Sequence, residues 1–464
     1  MTDAISDEAP SRWADLVTPR HLAATVTVAL GVVLFAFNAF VVATALPAAV
    51  SDFGGREWLA WATSLYIIAS MLSGPSAAAG MHRLGARRLF MLAGVVFLGG
   101  TLMAAFAPGM GWLLAGRTLQ GFGAGFIESG CYVLIPQLFP PRLIPRVFGV
   151  EAVAWAVAAF GAPALAGWLA EVASWRWALL TAVPMALVFL ALVPRVVSNA
   201  KGADQAPGLP LVPLLGCAAG MGLVLVSDGA GWMAAPLLAL GLALFVLVIR
   251  ADGRAEVRLF PRGAFGLGAL GLGLWLALLM PLSQSAGSVF LSYGLQMLWG
   301  WTPILAGLEA TVLAISWSGM QTLAASIGGD RRRLVIWGAG LLVLGQGAML
   351  AAFWATSAPL MLAGQLVTGA AFGLSWGALS QMVMEEAGAE RDVASGLLPV
   401  VMSAGYGIGA ALYGLAANLA GFGLAEGEAL RLVLLVVFGL SFVLALASLA
   451  PAWGLRASRR GNSR

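Results

Sequence analysis

Charge is what this chain has least of. Asp, Glu, Lys and Arg make up 10% of its 464 residues, where a soluble domain needs about a quarter to cover its surface. That shortage excludes a soluble enzyme of one to three domains. Lysine is nearly missing: of 25 basic residues only Lys201 is not arginine, so the GxxxxGK[ST] loop of a nucleotide-binding protein is excluded. Cys131 and Cys217 both lie in apolar stretches, and His21 and His82 are the only histidines. They leave no disulfide framework, zinc site or metal cluster, and no cofactor is expected. The basic surplus, a net +4, comes in small groups at intervals rather than on one face or tail, which argues against a nucleic-acid partner. The first twenty residues hold Asp3, Asp7, Glu8 and Asp15, the opposite of a signal peptide's basic start and apolar core. The amino terminus is expected to stay cytoplasmic and uncleaved.

What is abundant is apolar. Residues of that kind make up 60% of the chain, with 60 glycines and 17 tryptophans. At about 20 residues per membrane-spanning helix, the length allows a dozen or more spans. Charged and turn-rich punctuation places helices near 22–46, 58–80, 89–107, 111–136, 147–170, 177–194, 209–227 and 231–249, then near 264–291, 302–327, 334–354, 358–384, 394–421 and 429–450. The segment 263–329, with Glu309 as its one charge, could hold two or three helices. Arg258 and Arg262 precede it and Arg331, Arg332 and Arg333 follow it, and basic loops share the cytoplasmic side. The number of crossings between them is therefore even. With fourteen helices, Arg56, Arg176 and Arg431 are the basic residues of the outer loops. Arg117 is then the single basic residue inside a span. Both termini come out cytoplasmic, in a cell (inner) membrane.

The segment LAGRTLQGFGAGF from Leu114 resembles LAGQLVTGAAFGL from Leu362, at an offset of 248. The same offset carries Gly161-Ala162 onto Gly409-Ala410. One register serving two helices points to duplication of a six-helix unit, with an inserted pair between the copies. The expected architecture is all-α, 6 + 2 + 6, with two pseudo-symmetric six-helix halves: 1–195 as the first bundle, 196–262 as a two-helix linker and 263–464 as the second bundle and basic tail. Parallel repeats of this kind hold a substrate site between the halves near mid-membrane.

These motifs resemble the major facilitator superfamily, and specifically its fourteen-helix drug:proton antiporter branch. Arg117-Thr118-Leu119-Gln120-Gly121-Phe122-Gly123-Ala124 matches the RxxQGxGA signature. Gly161-Ala162-Pro163-Ala164-Leu165-Ala166-Gly167, followed by Trp175-Arg176-Trp177, is similar to the antiporter motif GPxxGG and its trailing WRW, with Ala162 and Ala166 in place of two glycines. Ala45-Leu46-Pro47 fits the ALP element. The loop His82-Arg83-Leu84-Gly85-Ala86-Arg87-Arg88 resembles DRxGRR but carries His82 where the acid belongs. Asn38 stands where many such antiporters have a membrane-embedded aspartate.

A charge at mid-membrane costs about 2.5–3.5 kcal/mol on insertion scales, so each one left there needs a reason. Arg117 and Glu128 are eleven residues apart on one helix, which puts them on one face about 16 Å apart along the axis. The resemblance implies that Arg117 organises proton coupling and holds the first and fourth spans together. Glu128 is either the proton carrier or a selector of substrate charge, and Glu309 is its counterpart in the second half. Glu151, one turn into the fifth span, is expected to form a gating salt bridge with Arg142, Arg146 or another loop. Asn38, Gln120, Tyr132, Gln365, Trp376 and Gln381 would line the substrate cavity. His82, Arg83, Gly85, Arg87 and Arg88 read as a latch or as a positive-inside anchor. Gly161, Pro163 and Gly167 would bend the fifth span and let helices approach closely. Trp58, Trp61, Trp112, Trp175, Trp177 and Trp301 fit interface belts; Trp155, Trp275, Trp317 and Trp376 lie deeper.

The leading expectation is a secondary transporter, not an enzyme, that exchanges protons for a small amphipathic or lipophilic compound by alternating access and works as a monomer among membrane lipids. A lipid, lysolipid or metabolite mover without proton coupling is the second reading. A non-transporting membrane assembly protein is the third.

Overall fold

With so little charge and so much Ala, Leu, Val and Gly, the chain satisfies its backbone within helices, as any segment in lipid must. The computed structural model describes residues 13–53, 59–140, 142–198, 211–227, 233–255, 258–327, 330–422 and 425–461; Asp3, Asp7, Glu8, Arg56, Trp58 and Lys201 lie outside them. Among the described residues every regular element is helical. The first are α1 (Leu22–Phe53), α2 (Leu59–Ser73), α3 (Ala77–Leu84), α4 (Ala86–Ala105), α5 (Met110–Leu138), α6 (Ile144–Val172), α7 (Trp175–Leu180) and α8 (Ala182–Val196). Next come α9 (Leu211–Ser227) and α10 (Ala234–Asp252). The rest are α11 (Ala269–Ala286), α12 (Ser292–Trp299), α13 (Pro303–Ile327), α14 (Arg331–Ala355), α15 (Ala358–Glu386), α16 (Arg391–Leu419) and α17 (Gly427–Gly461). Ten helical stretches among the described residues are long and apolar enough to cross a membrane. The stretch α5, which holds Arg117 and Glu128, is not one of the ten.

Several boundaries differ from the sequence reading. The first helix runs on through Pro47 to Phe53. The sixth predicted span is broken at Thr181, whose hydroxyl bonds back to Ala178 O. The helix expected at 264–291 starts at Ala269, because Gly263 (φ +81°) and Phe265 (φ +57°) turn the chain just before it. It continues through a π-helical turn at Gly287–Leu291 into α12. The final helix carries on into the arginine-rich tail.

Helices in lipid gain little from burying apolar surface against each other, so close packing of small residues and polar contacts hold them. Both copies of the repeat show it in the same way. A Cβ on Gly121 would collide with the Tyr66 carbonyl of α2, and one on Gly125 with the Ser70 carbonyl. In the second copy, Gly369 meets the Leu313 carbonyl of α13 and Gly373 the Trp317 carbonyl. Two arginines repeat as well: Arg176, at the start of α7, donates to Ala107 O after α4 (3.3 Å), and Arg431, at the start of α17, donates to Phe353 O (3.0 Å) and Trp354 O of α14. Arg176 also pairs with Asp52 at the end of α1 (3.6 Å), to which Trp175 Nε1 donates (2.7 Å). Met71 of α2, Met221 of α9 and Ala404 of α16 form a small cluster that sets α9 beside both.

The α6 motif behaves differently from its expected role. Nothing lies within 4 Å of a Cβ placed on Gly161, and on Gly167 only Thr44 Cγ2 does, at 3.9 Å. The residues of α6 packed into the core with Val41, Ala45 and Ala49 are Ala162 and Ala166, the two that replace motif glycines. Close approach occurs instead in the second half, where Gly405 and Gly409 of α16 meet the Leu278 and Leu282 carbonyls of α11. The register explains the difference: the small residues facing the partner are alanines in α6 and glycines in α16. Pro163 is accommodated inside the continuous α6.

Gly121→Val and Gly369→Val should each destabilise the purified protein by about 1–3 kcal/mol or more through overpacking. Gly161→Val should stay within about 0.5 kcal/mol. Thermal melts in one detergent compare the three, and equal losses at all of them would contradict this packing.

Candidate functional site

The glycine contact between α5 and α2 positions the most buried charge among the described residues. One turn before Gly121, the Arg117 side chain is 1% exposed. Its Nε donates to Ala62 O of α2 (3.1 Å) and its Nη1 to Gln120 Oε1 (2.8 Å), and its guanidinium carbon stands 4.2 Å from the Tyr66 ring centre. A carbonyl, an amide and an aromatic face thus share one positive charge. Gln120 passes the network on, donating from Nε2 to Thr101 Oγ1 of α4 (2.9 Å) and to Asn38 Oδ1 of α1 (3.3 Å). Tyr66 donates its hydroxyl to Phe35 O (3.4 Å). Four helices meet on Arg117 and Gln120. Asn38 Nδ2 is buried without a partner.

Three turns along α5, Glu128 is buried. Glu151 is buried too, and its Oε1 has no hydrogen-bond partner. The expected salt bridge to Arg146 is not formed: Arg146 Nη1 is buried unpartnered, with its guanidinium toward the Trp13 ring at 5.9 Å. Arg146 and Glu151 are five residues apart on one helix, a spacing that turns their side chains away from each other. Tyr132 stacks on Phe148 at 6.0 Å.

In the second half, Gln365 occupies the place of Arg117 in the repeat. Its Nε2 donates to Glu309 Oε2 of α13 (3.3 Å). Glu309 is 2% exposed, and both Glu309 Oε1 and Gln365 Oε1 are buried without partners. A second polar cluster ties α11, α14, α15, α16 and α17: Ser441 Oγ donates to Gln346 Oε1 (2.7 Å) and Ser283 O (2.8 Å), Tyr413 to Ser283 O (3.0 Å), and Gln346 Nε2 to Thr368 Oγ1 (3.5 Å).

The other predicted lining residues scatter. Trp376 is half-buried against the core of the second half, and Gln381 is exposed near the end of α15. Trp275 donates to Phe265 O (2.9 Å) at the start of its helix rather than deep in it, and Trp317 stacks on Phe372 at 4.7 Å. In the basic loop, Gly85 joins α3 to α4 at φ +83°, a conformation that favours glycine. Arg87 Nε donates to Val197 O (2.9 Å), Arg83 and Arg88 are exposed, and His82 Nδ1 is buried unpartnered. The matching turn of the second half is ionic: Arg331 pairs with Glu385, and Arg332 with Glu386 at 2.7 Å. Sequence reading passed over Tyr66, Thr101, Gln346, Thr368, Ser441 and Tyr413. A polar side chain inside an apolar helix was the signal available for them.

The Major Facilitator Superfamily model matches residues 28–291. A probable multidrug-efflux transporter of Mycobacterium tuberculosis (strain ATCC 25618 / H37Rv) is 30% identical over 440 residues, covering 90% of this chain and 92% of the relative. An uncharacterized transporter of Escherichia coli (strain K12) is 25% identical over 413 residues, covering 87% and 90%. Among solved structures, a D-xylose-proton symporter superposes with a TM-score of 0.65 at 17% identity, covering 94% of this chain and 99% of that one. The human organic anion transporter MFSD10 does so with 0.63 at 18%, covering 92% and 100%. At those identities the structures speak for the fold. With its family model matched over more than half its length and a relative aligned nearly end to end, this multi-pass membrane protein belongs to the Major Facilitator Superfamily of transporters.

Proposed function

We propose that the protein is a secondary transporter that exports small amphipathic or lipophilic compounds in exchange for protons, by alternating access. The observation that carries this reading is Glu309, buried beside Gln365 with an oxygen of each unpartnered. A carboxylate without a counter-charge is costly in a membrane interior, and the cost is relieved by a proton or by a cationic group of a substrate. Glu128 and Glu151 present the same problem in the first half, whereas Arg117 keeps a fixed charge that organises the helices around them. The multidrug-efflux name of the mycobacterial relative supports a small lipophilic substrate.

The layout that goes with this function is fourteen spans in a 6 + 2 + 6 order. The ten apolar stretches are joined by α2–α3, α5, α9 and α13. Residues 1–195 and 263–464 then rock against each other, with 196–262 as the linker. Asn38, Gln120, Tyr132, Gln365, Trp376 and Gln381 are assigned to the substrate path. His82, Arg83, Gly85, Arg87, Arg88 and Glu151, with the α6 motif Gly161, Pro163 and Gly167, are assigned to the gate. Both termini face the cytoplasm across the inner membrane, and the monomer suffices.

Lipophilic dye transport in proteoliposomes tests the reading. An imposed pH gradient should drive dye movement, and Glu309→Gln should lower the gradient-dependent rate at least tenfold, with Glu128→Gln the larger loss for cationic dyes. Flux indifferent to the gradient in the parent protein, and kept in both variants, would instead establish a mover without proton coupling, in line with the neutral Asn38. Arg117→Lys keeps the charge but not the planar fork that reaches Ala62 O and Gln120. It should cut flux at least tenfold while the protein stays monodisperse.

A further inference from the structure

A second site lies away from the Arg117 and Glu309 networks, where the linker meets the second half. Asp252, at the end of α10, is 2% exposed and accepts from the backbone N–H of Leu259 (2.7 Å) and of Phe260 (2.8 Å). That carboxylate folds the chain after α10 back on itself. The fold is braced further on, where Phe265 meets Phe260 and Trp275 edge to face at 5.9 and 5.2 Å. Arg254 and Arg258 stand on this braced turn and Arg262 follows it. With Ala255, Glu390 and Val393 they line a cavity of about 460 Å³. Glu390 accepts from the backbone N–H of Arg262 (2.6 Å) and lies 3.8 Å from its guanidinium. Arg258 spends Nε on Ala255 O (3.1 Å). Among the described residues no carboxylate pairs with Arg254 or Arg258, so three guanidinium groups face one carboxylate. Planar guanidinium forks suit phosphate oxygens.

The surroundings select the source of the phosphate. Val393 and Ala255 put apolar side chains in the cavity wall, and Val393 is exposed there. An acyl chain would cover such side chains; a soluble anion would leave them bare. We infer that the arginine cavity between the α10–α11 connection and the α15–α16 turn binds the phosphate headgroup of an anionic phospholipid. Basic pockets at the membrane edge are suited to such headgroups. The bound lipid would tie the linker helix α10 to α16 of the second half.

The test uses the full chain purified in detergent and titrated with phosphatidylglycerol, phosphatidylcholine or inorganic phosphate, read by native mass spectrometry and melting temperature. Phosphatidylglycerol should bind and raise the melting temperature, with phosphatidylcholine and inorganic phosphate each at least fivefold weaker. Arg254→Gln/Arg258→Gln should weaken phosphatidylglycerol at least fivefold without changing the melting temperature in lipid-free detergent. Arg195→Gln/Arg456→Gln, at exposed arginines elsewhere, should bind as the parent does. Glu390→Gln removes the one acid among the described residues that line the cavity and should tighten binding two- to threefold, which keeps the test open if the double variant fails to fold. Equal losses in the Arg254/Arg258 and Arg195/Arg456 pairs would mean diffuse charge and overturn the site, as would equal binding of the zwitterionic lipid. Equal binding of inorganic phosphate would overturn the lipid assignment.

Discussion

The backbone contact between α5 and α2 is the constraint on which the first half depends. In lipid, apolar side chains pack against acyl tails about as well as against each other, so helices need a specific reason to stay together. Gly121 and Gly125 supply it by letting α5 come against the Tyr66 and Ser70 carbonyls. Only at that separation does Arg117 reach Ala62 O and lie over the Tyr66 ring. The arginine then recruits Gln120, and through it Thr101 and Asn38. The signature from Arg117 to Gly125 is thus one physical device, in which small residues bring the helices close and polar residues use the closeness.

The second half keeps the device and changes its chemistry. Gly369 and Gly373 bring α15 against α13 as Gly121 and Gly125 bring α5 against α2. At the polar position, however, an amide replaces the guanidinium and Glu309 supplies the acceptor in place of a backbone carbonyl. A guanidinium holds its charge at any working pH; a carboxyl can take up or give back a proton. The same contact therefore carries a guanidinium in one half and a carboxyl in the other. The offset of 248 puts Gln365 at the place of Arg117, but the carboxylate it meets, Glu309, lies on another helix.

Helix starts were legible to within a few residues because apolar length and charged punctuation are local properties. The boundaries that moved did so at the left-handed turn of Gly263 and Phe265, at the π-helical turn after Ala286, and at helix ends that ran past their punctuation, α1 through Pro47 and α17 into the arginine-rich tail. The buried short list of Arg117, Glu128, Glu309 and Glu151 was legible as well, since a charge in an apolar run stands out. Partners were not. Glu151 was matched to nearby arginines by sequence distance, but helix rotation leaves it and Arg146 each with an unpartnered atom. The motif glycines of α6 were read as a packing face, though the packed face carries Ala162 and Ala166. Tyr66, Gln346 and Ser441 escaped notice because an uncharged polar residue in a span is common and becomes informative only through its neighbour.

By itself, the sequence determined that this chain lives in a membrane, where its helices begin, that two of its segments resemble each other and that Arg117, Glu128, Glu151 and Glu309 are buried. Composition and spacing along one helix are enough for those conclusions. The tertiary structure decided what each buried group touches: Arg117 on a carbonyl and a ring, Glu309 on an amide, Asp252 on the turn that carries Arg254 and Arg258. The reason is the short range of these interactions. A hydrogen bond made or missed within 1 Å depends on how two helices rotate and how near they come, and that is settled by contacts between residues far apart in the chain.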